Sequence, residues 1–117
     1  MTYDSNNIFA KILRGEIPVQ KIYEDASALS FYDIKPKAKV HVLVISKQMV
    51  VDYSDFVEHS SADEIAGFNR AVLKTVKKLK LDETGYRIVF NAGPHSGQEV
   101  PHLHAHILGG EQLKTSL

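Results

Sequence analysis

The sequence VPHLHAHILGG at residues 100–110 carries a histidine at every second position, namely His102, His104 and His106. Successive side chains of a β-strand point to opposite faces, so this spacing predicts that these imidazoles share one face and that the apolar residues between them share the other. Three of the six histidines of the chain fall within this stretch. The pattern therefore predicts a strand with one chemical face and one packing face.

Three interpretations of the histidine face are open from the residues alone. Histidines that only pack on an inner sheet face would each need hydrogen-bond partners, because buried polar groups are nearly always paired. Imidazole is also a common zinc ligand, although same-face neighbours on a strand lie ~6.6 Å apart and no cysteine is present to complete a structural site. In the third interpretation one imidazole attacks a substrate, while its neighbours fix its tautomer and donate to a charged group.

Composition and charge limit the class of protein. The chain has 117 residues, of which 44% are hydrophobic and 24% are charged, as expected for one soluble globular domain. Fourteen basic residues balance fourteen acidic ones, so no global field would recruit nucleic acid or an anionic membrane. The absence of cysteine excludes disulfides. The amino-terminal residues show neither a signal peptide nor a membrane span, so we expect a cytoplasmic protein.

The hydrophobic pattern predicts an α+β fold. Asn6 or Asn7 caps a short helix that ends at Gly15, and a capping box at residues 61–64 begins a long amphipathic helix. Runs rich in β-branched and aromatic residues predict strands at 19–24, 28–34, 40–45 and 86–91, besides the histidine stretch. Short turns without a βαβ rhythm predict a mostly antiparallel, five-stranded sheet with one short and one long helix.

Two other features involve the same chemistry. His41 interrupts the apolar run VHVLVI at residues 40–45, where a single histidine is more often a paired core residue than a catalyst. The loop AGPHSGQ at residues 92–98 lies directly before the histidine strand. Its glycines allow backbone N–H groups to approach an anion closely, which predicts a phosphate-binding loop. His59 and His95 match no motif and are interpreted as surface residues.

Residues 102–108 resemble the histidine triad motif, His-φ-His-φ-His-φ-φ with φ apolar, of the HIT nucleotide hydrolases and transferases. Residues 97–100 and the glycines at 109–110 resemble its Hint branch in particular, the purine nucleoside phosphoramidases. The resemblance covers about residues 8–110. It implies a single HIT domain over residues 1–117, with a short tail at 111–117 that lies near the active site of a partner. It also implies a two-fold homodimer that joins the two sheets.

The resemblance also implies roles for the site residues. His104 would attack the α-phosphate, His106 would donate to a non-bridging phosphate oxygen, and His102 and His41 would set the hydrogen-bond chain behind the nucleophile. Asp33 would accept hydrogen bonds from the ribose hydroxyls, because its two carboxylate oxygens suit a vicinal diol. The other implied nucleotide contacts are Phe9, Ile12, Ile17 and Phe31 around the base, Asn91, Gly97, Gln98 and Glu99 around the ribose and phosphate, and Ile34.

The implied activity is hydrolysis of the P–N bond of purine nucleoside phosphoramidates, of the adenosine 5′-monophosphoramidate type. A nucleotidyl-histidine intermediate would form, and AMP or GMP and an amine would be released without metal or cofactor. Some relatives carry a hydroxyl residue where this chain has Glu99, and a carboxylate donates a proton only when protonated, so the proton donor is open. The alternatives are a dinucleoside polyphosphate hydrolase of another HIT branch, a nucleotide-binding regulatory protein and a zinc-binding module.

Overall fold

The structure is a computed structural model that describes residues 2–114, so residues 115–117 of the predicted tail lie outside the described part. One antiparallel sheet of five strands forms its centre, in the order β1-β2-β3-β5-β4. The elements are α1 (Ile8–Leu13), β1 (Lys21–Glu24), β2 (Ala28–Tyr32), β3 (Val40–Ser46), α2 (Tyr53–His59), α3 (Ala62–Lys78), β4 (Tyr86–Val89) and β5 (His104–Gly109), with 3₁₀ turns at Leu81–Glu83 and Pro94–Ser96.

The predicted α+β class and five-stranded antiparallel sheet are confirmed, and the chain has one more short helix than predicted. Asp52 caps α2 by accepting the N–H of Asp55. This helix buries only Phe56, so it leaves no periodic apolar stripe for sequence analysis to detect. Along residues 2–114, no helix is both long and apolar enough to cross a membrane.

Helix α3 covers one face of the sheet. The capping box is confirmed, because Ser61 and Glu64 each accept the backbone N–H of the other. The helix buries Phe68, Val72 and Val76 against the strands. Gly67 allows the close approach, since a Cβ atom at that position would lie 2.3 Å from Oγ of Ser27. The long helix is therefore fixed both by its cap and by contact with the sheet.

The two faces of the sheet have different partners. Val42 and Val44 of β3 and Ile107 of β5 lie on the face that packs against α3, which we call the helix face. Leu43 and Ile45 alternate with them and pack with α1 and β2 on the opposite face, which we call the cleft face. His104 and His106 lie on the cleft face, opposite Ile45 and Leu43 in the register of β3 and β5. The predicted alternation of histidines on one face with apolar packing residues on the other is thus observed along β5.

The histidine stretch departs from the prediction at its beginning. Strand β5 begins at His104, so His102 precedes the strand. The N–H of His102 donates to the carbonyl of Val100 at 2.8 Å, which forms a tight turn around Pro101. Proline has no N–H and a fixed φ, so it interrupts the strand ladder at this point. The backbone of His102 is therefore held outside the strand ladder, by this turn and by the N–H of Leu103, which donates to the carbonyl of Val50 at 2.9 Å.

Candidate active site

A cleft of about 630 Å³ opens on the cleft face, within the range typical of small-molecule sites. Helix α1, the β2–β3 connection and the glycine-rich loop surround it, and β3 and β5 form its floor. Its lining residues are Ile8, Phe9, Asp33, Lys35, Lys37, His41, Leu43, Val89, Asn91, Gly97, Gln98, Glu99, Val100, His104, His106 and Leu108.

His104 presents a free imidazole nitrogen to this cleft. Its Nδ1 lies 2.8 Å from the carbonyl oxygen of His102, and a carbonyl only accepts, so Nδ1 carries the proton. Burial lowers the pKa of His104, which favours the neutral ring and leaves Nε2 unprotonated. Among residues 2–114, every fully buried side-chain nitrogen or oxygen has a hydrogen-bond partner. Nε2 of His104 has none in that part of the chain, so this atom is not fully buried and is accessible from the cleft. Phe9 contacts the ring edge-on, with 4.9 Å between centroids.

His106 presents a proton to the same cleft. Nδ1 of His41 accepts the backbone N–H of Lys37 at 2.9 Å, so the proton of the neutral His41 ring is on Nε2. That Nε2 lies 2.9 Å from Nδ1 of His106 and donates to it. Burial lowers the pKa of His106 to about 4, so the ring is neutral and its own proton is on Nε2. His41 therefore supports His106, whereas the sequence analysis placed it behind the nucleophile.

His102 is the most deeply buried of the triad, with 1% of its surface exposed. Its Nε2 donates to the carbonyl of Ser46 at 2.7 Å. Burial lowers its pKa to about 4, so the ring is neutral and Nδ1 is an acceptor. The hydroxyl of Tyr3 lies 2.6 Å from this Nδ1 and donates to it. His102 thus contributes its backbone carbonyl to His104, while its side chain is held by Ser46 and Tyr3.

Asp33 lies at the edge of the cleft beside the His41–His106 pair. Its Oδ1 accepts the backbone N–H of Lys35 at 2.8 Å, and its Oδ2 lies 3.4 Å from Nε2 of His41. The possible ligand atoms of Asp33, His41 and His106 lie within 4.8 Å of one another, so among the described residues this group, and not the triad itself, could hold a cation. Zinc binds such atoms at about 2.0–2.2 Å, and an ion there would replace the His41–His106 hydrogen bond.

The glycine-rich loop is held by Gln98. The side-chain amide of Gln98 donates to the carbonyls of Val51 and Val100 and accepts the N–H of Gly93, at 2.9–3.0 Å. Both of its donor hydrogens are therefore used within the protein, which differs from the implied contact with ribose or phosphate. Gly93 and Gly97 have φ of 80° and 79°, which glycine adopts without strain. Glu99 is exposed on the cleft wall.

The cleft collects most of the residues that the sequence analysis assigned to the site. The assigned residues on its lining are Phe9, Asp33, His41, Asn91, Gly97, Gln98, Glu99, His104 and His106. Ile12 and Phe31 are buried behind Phe9, and Ile17 packs against the same cluster. Ile34 lies away from the lining, and its side chain is 91% exposed.

Several lining residues were absent from the sequence analysis. Leu43 and Leu108 could have been found, because each lies two positions from a cleft histidine and strand alternation puts it on the same face. Lys35 and Lys37 lie in an irregular connection with no period to read. Tyr3 lies behind the lining, and no motif points to it, since its contact with His102 spans 99 positions.

A neutral imidazole with a free nitrogen thus lies beside a second imidazole that presents a proton, an arrangement that can attack an electrophile and stabilise the charge that develops. A family model described as HIT domain matches residues 14–113, and the chain belongs to this family. It is 50% identical to a 13.2 kDa HIT-like protein of Azospirillum brasilense over 112 residues, which are 96% of this chain and 92% of the relative.

Two solved structures are similar in sequence and in fold. A HIT family hydrolase from Legionella pneumophila is 39% identical with a TM-score of 0.80, over 92% of this chain and 95% of that one. A histidine triad nucleotide-binding protein from Candida albicans is 37% identical with a TM-score of 0.77, over 87% of this chain and 73% of that one. The HIT family to which the chain belongs thus includes hydrolases and nucleotide-binding proteins.

Proposed function

We propose that this protein hydrolyses the P–N bond of purine nucleoside phosphoramidates through a nucleotidyl-histidine intermediate. The observation that carries the proposal is the tautomer of His104. Its Nδ1–H donates a hydrogen bond to the carbonyl of His102, while its unprotonated Nε2 is accessible from the cleft. The Legionella hydrolase and the Candida nucleotide-binding protein support the two parts of the proposal, hydrolysis and a nucleotide ligand.

In the first step Nε2 of His104 attacks the α-phosphorus, and the bond from phosphorus to the amine nitrogen breaks. The leaving nitrogen takes a proton on the open side of the cleft, where Glu99 and solvent lie, and departs as the amine. The Nε2–P bond makes the ring cationic, and the Nδ1–H bond to the carbonyl of His102 stabilises that charge. The Nε2–H of His106 donates to a non-bridging phosphate oxygen as charge develops there.

In the second step water attacks phosphorus and the Nε2–P bond breaks. The nucleoside monophosphate leaves, and His104 returns to its neutral tautomer, with Nδ1–H still donating to the carbonyl of His102. No group is oxidised or reduced, and the water supplies the oxygen of the product and two protons. Removing the amine first and adding water second divides one difficult substitution into two easier ones.

The cleft lining offers both kinds of contact that a nucleoside needs. Phe9, Leu43 and Leu108 provide an apolar lining for a base, and Asp33 is the carboxylate that the ribose hydroxyls would approach. Asp33 keeps acceptor capacity for a diol, because Oδ1 accepts only one backbone N–H and Oδ2 only faces His41. These contacts would hold the α-phosphate over His104.

One observation favours a second substrate class, the dinucleoside polyphosphates. Lys35 and Lys37 line the cleft near Asp33, and their charges could attract additional phosphates. Glu99 on the cleft wall acts in the opposite sense, because a carboxylate repels a leaving group that carries phosphates. We therefore place the phosphoramidates first.

The test compares kcat/KM for an adenosine 5′-phosphoramidate with that for a diadenosine polyphosphate, using the wild type and His104→Ala. The proposal predicts that the wild type prefers the phosphoramidate and that His104→Ala loses this activity. If the wild type prefers the polyphosphate, the proposed substrate class is wrong, but the proposed role of His104 as the nucleophile stands. AMP binding without any turnover that depends on His104 would instead identify a regulatory nucleotide-binding protein.

The proposal includes a homodimer formed through β4. This strand is at the edge of the sheet, and its Tyr86 and Ile88 are 40% and 42% exposed. An edge strand with exposed apolar side chains pairs readily with another strand, and a second copy would extend the sheet through a two-fold axis. Sedimentation analysis of the wild type and Ile88→Lys tests this: the wild type should be dimeric and the variant shifted toward monomer. A monomeric wild type would contradict it.

A further inference from the structure

We infer that Tyr3 is a positioning residue for the nucleophile, acting through His102. The inference rests on the proposed function, in which His104 attacks the substrate. Tyr3 itself is absent from the cleft lining and reaches the site from behind, through the 2.6 Å hydrogen bond from its hydroxyl to Nδ1 of His102. Its ring also stands against that imidazole, with 5.6 Å between centroids.

Both nitrogens of the His102 ring have a defined hydrogen-bond partner. Nε2 faces the carbonyl of Ser46, which only accepts, so the proton of the neutral ring is there. Nδ1 is then a buried acceptor and needs a donor, because an unpaired buried polar atom is costly. The hydroxyl of Tyr3 is that donor. Together Ser46 and Tyr3 fix the ring in one tautomer and one orientation.

The His102 ring helps to position the His102 carbonyl. This carbonyl accepts the Nδ1 proton of His104, yet it precedes β5 and is not held by strand pairing. The N–H of His102 closes a tight turn with Val100, and the N–H of Leu103, in the same peptide unit as this carbonyl, donates to the carbonyl of Val50 at 2.9 Å. The side chain is the third fixed point of the residue. A change in the ring therefore removes one of three constraints on the acceptor that keeps Nε2 of His104 unprotonated and aimed at the cleft.

The amino-terminal segment that carries Tyr3 is hydrogen-bonded to α1. The side chain of Asn7 donates to the carbonyl of Asp4 at 2.8 Å and also caps α1 by accepting the N–H of Ala10. Arg14 donates to the carbonyl of Ser5 at 2.8 Å. Residues 4–7 are thus tied to α1, and the same helix places Phe9 against His102 and His104.

The first test is Tyr3→Phe, which keeps the ring and removes only the hydroxyl. We expect kcat for the phosphoramidate to fall about tenfold with KM nearly unchanged, because misplacing a reacting group affects the chemical step rather than binding. The matched control is Tyr23→Phe, which removes a hydroxyl that donates to Asp25 at 2.8 Å away from the cleft lining, and kcat should be retained. Equal kcat in Tyr3→Phe and wild type would overturn the inference.

A double-mutant cycle tests the route through His102. If Tyr3 acts only by fixing that ring, Tyr3→Phe should have little further effect on kcat in a His102→Asn background. A full tenfold loss in that background would contradict the route.

A third measurement needs no turnover and separates the inference from the proposed function. Long-range ¹H–¹⁵N spectra of the histidine rings report which nitrogen is protonated. Wild type should show His102 protonated at Nε2 and His104 at Nδ1, and Tyr3→Phe should broaden or mix both patterns. Unchanged ring tautomers in Tyr3→Phe would overturn the inference. Absence of phosphoramidate turnover by wild type would instead remove the proposed function.

Discussion

The helix face and the cleft face of the sheet are built from alternate residues of the same strands, yet they differ in chemistry. On β5, Ala105 and Ile107 are fully buried on the helix face, whereas His104 and His106 face the cleft. The helix face is almost entirely apolar, with the hydrogen-bonded pair of Ser30 and Thr75 as a polar contact to α3. On the cleft face His104 and His106 are each hydrogen-bonded on one nitrogen and open on the other.

This difference indicates how the fold divides its tasks. Burial of apolar surface on the helix face supplies stability, since each fully buried aliphatic side chain contributes about 1.5–3 kcal/mol. The cleft face uses the rigidity of those strands to hold imidazoles at fixed separations, such as the 5.1 Å between the rings of His104 and His106. Substitutions on the two faces should therefore affect different observables.

The largest effect is expected from His104→Ala on the cleft face. Loss of the nucleophile should lower kcat by about 10³-fold or more, equivalent to about 4 kcal/mol in the activation free energy. Stability should change by only about 1 kcal/mol, because one hydrogen bond is lost. Steady-state kinetics and urea denaturation measure the two quantities. A variant that keeps its activity, or one that no longer folds, would contradict the proposed division of tasks between the cleft face and the helix face.

The next effect is expected from Ile107→Ala, three positions along the same strand. This residue is fully buried on the helix face, so its truncation leaves a cavity and should lower the free energy of unfolding by about 2–5 kcal/mol. The folded fraction should keep its kcat, because the side chain points away from the cleft. Urea denaturation and kinetics on the same sample check both halves of the prediction. Loss of kcat in the folded protein would contradict it.

The cleft face should also make stability depend on pH. Burial lowers the pKa of His102 to about 4 in the folded protein, against about 6.5 in the unfolded chain. Between these values the unfolded chain binds a proton that the folded one does not, so stability falls as the pH drops from about 6.5 to about 4. His102 alone should account for about 3 kcal/mol.

The control for this pH dependence is His102→Asn, which removes the titrating group. Its unfolding free energy should fall less steeply between pH 6.5 and 4 than that of the wild type, as measured by urea denaturation at each pH. Parallel curves for the two proteins would show that His102 does not cause the dependence.

The smallest effect is expected from Ser61→Ala, which is remote from both faces. Removing the cap of α3 leaves a helix N–H unpaired and should cost about 1 kcal/mol of stability. No change in kcat is expected, since Ser61 and its partner Glu64 are both absent from the cleft lining. Thermal denaturation and kinetics check this. A kcat that falls with the cap would indicate coupling between α3 and the cleft.

Local patterns predicted the parts of the molecule that local rules determine. The alternation of His104 and His106 with apolar residues follows from strand geometry, and the cap at Ser61 follows from side-chain hydrogen bonding. The pairing of His41 with His106 could not be read in this way, because it depends on the register of two strands 65 positions apart. Tyr3 lies beyond any local pattern, because its partner is brought to it only by the complete fold.

The most direct test of the account is to find where a nucleotide becomes attached during turnover. The protein is mixed with an adenosine 5′-phosphoramidate labelled in the phosphate, quenched in alkaline denaturant within the first turnovers, and mapped by peptide mass spectrometry. The account predicts the label on His104 and none in His104→Ala. A label on any other residue, or turnover without a covalent nucleotide, would contradict it.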